Sequence, residues 1–145
     1  MTTTVALFLT ALVLPTDAPK DDAVAREVKR HQGTWAVTSF VRGGKESPKS
    51  LTDSIVRVVD GDHVVWKRDG KSFAGTTVTL DPSKSPKTID ILADGGPARG
   101  EPVLGIYKLE GDELTICTAD AGNDRPGTFD APAGSKRTLV TFRRK

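Results

Sequence analysis

From Thr34 to Arg143 apolar and polar residues tend to alternate, and turn residues interrupt the pattern every eight to twelve positions. A period of two puts one set of side chains on one face of a strand, which no helix can do. The interruptions mark out eight short strands, at 34–42, 54–59, 63–68, 72–80, 87–92, 103–109, 113–118 and 137–143. Gly43-Gly44, Asp60-Gly61-Asp62, Asp69-Gly70 and Glu110-Gly111-Asp112 are tight-turn sequences. Longer breaks fall at 45–50, 81–86, 94–102 and 119–135. Strands joined mainly by short turns pair with their sequence neighbours. That predicts an all-β, eight-stranded antiparallel up-and-down barrel, whose closure leaves no edge exposed. A β-sandwich has the same local signature and stands as the alternative architecture.

One short N-terminal α-helix is expected ahead of the strands, over Asp21 to Gln32 (DDAVAREVKRHQ). Asp21 and Asp22 suit the positive end of its dipole, and Lys29, Arg30 and His31 the negative end. Gly33 stops it. Val24 and Val28 give only a thin apolar stripe, so the helix has to rest on the strands to persist.

Val5 to Leu14 (VALFLTALVL) is an apolar run of ten residues. That is too short to cross a bilayer and suits the core of an export signal. Residues 1–18 are therefore expected to form a signal peptide, although no Lys or Arg precedes the run, and 19–145 a single domain. The expected product is soluble and exported, periplasmic or extracellular, with no stable membrane insertion after processing. No cysteine follows the run to take a lipid anchor. A net charge of +2 and an aromatic content of 6% supply neither the field nor the stacking surfaces of a nucleic-acid binder.

Gly33-Thr34-Trp35 stands between the helix and the first strand. In that position it resembles the Gly-x-Trp signature of lipocalins and their calycin relatives. The resemblance implies a lipocalin-like barrel in which the indole packs at the closed end. It also implies that an arginine from the end of the last strand lies across the ring. Arg143 is the first candidate and Arg144 the second. A wider set of stretches is similar to a family of small exported proteins expanded in planctomycete bacteria, whose domain is uncharacterised. The set comprises Gln32-Gly33-Thr34-Trp35, Asp81-Pro82 with Pro86-Lys87-Thr88-Ile89-Asp90, Leu104-Gly105-Ile106-Tyr107 with Gly111-Asp112, and Cys117 with Arg125-Pro126 and Phe129. That likeness implies the same fold and brings no activity with it. His31 departs from it, standing where members often carry Leu.

With Trp35 facing inward, a strict period of two also turns Val37, Ser39 and Val41 inward. The same logic assigns Val56 and Val58, on either side of Arg57, to the barrel lining, together with Trp66, Ile89, Ile91, Leu114 and Ile116. Tyr107 is either a polar handle at a pocket or a core phenol bonded to a loop. An eight-stranded barrel is wide enough to be filled by side chains or to hold one small ligand. The expected function is a non-enzymatic binder of a small, partly apolar molecule; the alternative is a structural or protein-interaction module with a filled barrel. No acid–base pair or nucleophile stands in a recognisable motif. Cys117 is the lone cysteine and reads as a buried apolar residue, and a Cys117–His63 pair has no catalytic sequence around it. With His31 and His63 the only histidines, neither a metal site nor a cofactor is expected. Arg125 is expected to pin the 119–135 loop against a neighbouring acid.

Overall fold

In a computed structural model, residues 18–96 and 100–145 are described, with side chains from Asp21 onward. The expected signal peptide, Ala18 aside, lies outside the described residues. Helix α1 runs Ala18–His31. The strands that follow are β1 (Gly33–Arg42), β2 (Lys45–Glu46), β3 (Ile55–Asp60), β4 (His63–Arg68), β5 (Lys71–Asp81), β6 (Lys87–Ala93), β7 (Val103–Glu110), β8 (Glu113–Ala119) and β9 (Arg137–Arg144). A four-residue helix, α2 (Lys49–Thr52), sits in the first long break. All pairings are antiparallel, and all join sequence neighbours apart from β1 with β3 and β1 with β9. The β1–β9 pairing closes the sheet, so the fold is a closed eight-stranded, lipocalin-like barrel with the two-residue β2 appended to β1. The expected strands hold to within one or two residues. Strand β2 and helix α2 are additions that short polar sequence does not announce.

Two bulges set which side chains face inward. In β1 the register against β9 shifts between Val37 and Ser39, leaving Thr38 as the extra residue. The face therefore flips: Trp35 and Val37 point in, and after the bulge Phe40 pairs with Val140 on the inner side. Ser39 and Val41, expected to line the barrel, face outward. In β5 the shift opposite Trp66 and Lys67 leaves Phe73 as the extra residue, 58% exposed.

The phase of β3 is also opposite to the expected one. Arg57 and Val59 are buried, whereas Val56 and Val58 are half-buried on the outside. Across the inner face Arg57 lies opposite Trp66, and Val59 opposite Val64. Val56 and Val58 are thus not lining residues. Two flanking valines suggested an apolar inner face, but the outer side of β3 also takes valine, and the guanidinium goes inside.

The closed end is built from the helix outward. Gly33 takes φ +106, a conformation that stops α1 and turns the chain into β1 at little cost only for glycine. Trp35 is fully buried and donates from Nε1 to the His31 carbonyl at 2.9 Å. The Gln32 amide clasps the β3–β4 turn, accepting from the Gly61 N–H at 2.7 Å and donating to its carbonyl at 3.0 Å. Arg144, not Arg143, lies over the indole, 4.2 Å from the ring centroid. Its two terminal nitrogens donate to the Gln32 and Arg30 carbonyls, each at 2.7 Å. Arg144 shares the parity of Val140 and Phe142, both buried, whereas Arg143 is exposed. Arg144→Ala should therefore lower stability by about 2 kcal/mol, from a cation–π contact and two charged hydrogen bonds. Arg143→Ala should change it by less than about 0.5 kcal/mol. Urea melts of the pair check that order.

On the outside, the chain from 120 to 136 straps β6, β7 and β8. Pro126 and Ala131 are buried there with Ile106, Cys117 and Ala119, which makes a second apolar layer on the outer face. Arg125 donates to the carbonyls of Ile89 (3.2 Å) and Gly105 (2.8 Å), and pairs with Asp90 at 2.7 Å. It anchors the strap as expected. Gly105 has to be glycine for contact reasons: a Cβ there would stand 2.7 Å from the Cys117 carbonyl oxygen.

Candidate functional site

The barrel interior divides at mid-height. The half near α1 is filled. Val37, Ile89, Leu109 and Leu114 pack there around Trp35 and Tyr107. Val37, Ile89 and Tyr107, expected at a pocket, are inner-face residues of this filled half and do not line the cavity in the other half. Tyr107 donates from its hydroxyl to Glu27 at 2.7 Å, so it is a core phenol bonded to the helix. Burial, with the Glu27 carboxylate beside it, raises its pKa, and the group stays neutral.

Glu27 collects three donors in this half. Besides Tyr107 they are Arg30 at 2.7 Å and Lys87 at 3.2 Å. Burial alone would raise its pKa, but those hydrogen bonds win and hold it below the usual carboxylate range. His31 is 1% exposed and meets Tyr107 edge-on at 4.9 Å, with neither ring nitrogen hydrogen-bonded. Burial, aided by the positive charge of Arg57, pushes its pKa down to about 4.

The half away from α1 holds a cavity of about 180 Å³. Its floor is Arg57, Val78 and Phe142, and its walls include Trp66, Ile116 and Val140. Phe40, Ile91 and Val103 stand nearer the mouth, where Thr76, Thr118 and Thr138 add the polar groups. The mouth opens beside a second apolar hollow of about 320 Å³, walled by Ile55, Phe73 and Ala74 and sharing Phe40, Trp66 and Thr76 with the cavity. Trp66, Ile91 and Ile116 are thus the residues for which the sequence-based lining holds. Phe40 and Arg57 were missed, as were Val78, Val103, Val140 and Phe142. A bulge hid the first. The second shares its inner-face phase with Val59 across a two-residue step, and that parity was the available signal.

Arg57 is the unusual member of the lining. It is 1% exposed, its Nη1 has no hydrogen-bond acceptor, and no carboxylate pairs with it among the described residues. Its guanidinium carbon sits 5.6 Å from the centroid of Phe142, which in turn packs 5.7 Å from Trp66. Burial lowers its pKa to about 10, so it is still a cation at neutral pH.

The remaining candidates fall apart in space. His63 lies outside the barrel and bonds Asp94 at 2.6 Å. Cys117 is under the strap, four strands away around the barrel, with its thiol donating to the Asp130 carbonyl at 3.3 Å. Burial raises its pKa, which keeps it a thiol. The two do not form a pair. Among the described residues no three His, Cys, Asp or Glu side chains converge as metal ligands, and no helix is long and apolar enough to cross a membrane. The arrangement offers a mainly apolar hollow, open at one end, with one charged group at its base. In comparisons with known proteins, no family model, no curated protein and no solved structure matches this chain.

Proposed function

We propose that the chain is an exported, non-enzymatic binder of a small, partly apolar molecule held in the open half of the barrel. The observation that carries this is the cavity of about 180 Å³ between the filled floor and the rim. An apolar cavity of about 150 Å³ is enough to take a benzene-sized molecule. Export and kinship with the planctomycete family that the chain resembles are part of the same proposal. An intact mass of the mature protein from its own host, short of residues 1–18, supports export; an uncleaved chain argues against it.

Binding is tested by NMR titration with octan-1-ol. The indole N–H signal of Trp66, in the cavity wall, should shift saturably, while that of Trp35 at the closed end should not. Val140→Phe, which puts a ring into the cavity, should abolish the shift and leave the fold intact. If no small amphiphile gives a saturable shift, the second reading takes over. In that reading the barrel is an interaction module, and exposed Phe73 beside the mouth is the feature that favours it.

A further inference from the structure

We infer that the molecule held in the cavity is a monocarboxylate with a short apolar body, seated head-inward with its carboxylate on Arg57. This rests on the binder reading above and names the chemistry of its ligand. A buried guanidinium is ordinarily matched by a carboxylate or by several carbonyls. Arg57 has Phe142 and Trp66 around it and, at Nη1, no acceptor. Glu27 is the one buried carboxylate among the described residues, and its oxygens already accept from Arg30, Lys87 and Tyr107. The charge therefore faces the cavity floor without a counter-ion in the protein.

An apolar residue at position 57 would fill the same place without the desolvation cost. An incoming anion would recover that cost, because a planar guanidinium matches a carboxylate through two parallel hydrogen bonds. The walls decide the rest of the ligand. One cation in a hollow of Trp66, Ile116, Val140 and Phe142 suits a single negative charge on an apolar body. A phosphate dianion would need a second cation, and beside Arg57 the lining supplies only the neutral donors of Trp66, Thr76, Thr118 and Thr138. A cavity of about 180 Å³ takes a body of benzoate or hexanoate size, and the adjoining hollow beside Phe73 gives a longer chain room to continue. Aromatic and aliphatic acids share this chemistry, and the experiment separates them.

The full chain is titrated calorimetrically at pH 7 with octanoate, benzoate, octan-1-ol and octylammonium. One of the two acids should bind at least about tenfold more tightly than octan-1-ol, and octylammonium should not bind. The tighter of the two identifies the body as aliphatic or aromatic. Arg57→Met should collapse the acid-to-alcohol ratio to about one. It should also melt at or above the wild-type temperature, which establishes that its cavity is folded. Arg57→Lys, charged but without the fork, should fall in between. If octan-1-ol binds as tightly as the acids, the barrel is a binder and the carboxylate assignment is overturned. It is overturned equally if Arg57→Met keeps the preference for the acid. If none of the four binds, the binder reading itself fails, and the ligand assignment goes with it.

Discussion

Trp35→Ala is expected to destabilise the protein by about 3–5 kcal/mol, the range for removing a large aromatic side chain from a packed core. Three separate losses combine. The indole is fully buried, so its removal leaves a void beside Val37 and Leu114. Its N–H satisfies the His31 carbonyl at 2.9 Å, and that carbonyl would be left at the last turn of α1 without its donor. Its face also carries Arg144 at 4.2 Å, so the guanidinium loses its platform while still bonded to the Gln32 and Arg30 carbonyls. Domains of this size have roughly 5–15 kcal/mol in total, so the variant should be marginal at ambient temperature. A urea melt gives the answer directly. A midpoint close to wild type would mean that the helix and the barrel floor hold each other without the indole. Trp35→Phe, which keeps most of the apolar volume but not the donor, should lie between the two.

The second large effect is set by pH and belongs to His31. Its ordinary pKa of 6.5 applies in the unfolded chain, and in the folded protein burial and the Arg57 charge bring it to about 4. The unfolded state therefore takes up a proton, between those two values, that the folded state refuses. Stability from the neutral ring is whole above pH 6.5, drains as the pH falls towards 4, and is not lost further below that. The full depth is about 3 kcal/mol. Glu27 acts lower down, because its folded pKa is depressed and its contribution disappears as that carboxylate is protonated. His31→Leu should flatten the decline between pH 6.5 and about 4.5 and leave the lower, Glu27-dependent part in place. It also deletes two buried ring nitrogens that have no partner, so stability at pH 7 should rise. Denaturant midpoints measured from pH 7 down to pH 4 in both proteins decide it; parallel curves would remove His31 from the account.

The strands were legible because turn chemistry is local. Asp60-Gly61-Asp62 and Glu110-Gly111-Asp112 break the chain where β3 meets β4 and β7 meets β8, and no tertiary contact is needed to see it. The facing of side chains was less legible, for two reasons. A bulge such as that at Thr38 has no sequence mark, and one added residue sends every later side chain of β1 to the other face. The second reason is the rarity of a buried charge. Val56-Arg57-Val58 is more naturally written with arginine in water, and the opposite outcome needs the whole barrel to be known. The expected alternation of wet and dry faces fails in β8 as well, where Leu114 to Cys117 are all buried. There the strap covers what a bare barrel would leave wet. The position of Arg144 could have been read from the sequence. It stands two residues after Phe142, in step with Val140, and that parity is local.

The closing pair of strands has a consequence for how fast this chain can fold. Every other barrel pairing joins residues much nearer in sequence, even where β1 reaches past β2 and α2 to β3 and where β9 reaches back across the strap to β8. Between β1 and β9 the partners include Arg42 with Thr138 and Trp35 with Arg144. Bringing such ends together costs chain entropy before any of the contacts that repay it exist. Closure is then expected to be the slow event, with β1 and β9 each offering a free edge until it occurs. A permuted chain that links the end of β9 to the start of α1, and opens instead at the turn 60–62, turns that distant pairing into a neighbouring one. The barrel still has to close, now between β3 and β4, so its stopped-flow refolding rate should stay close to that of the natural order while the late-pairing edges become those two strands.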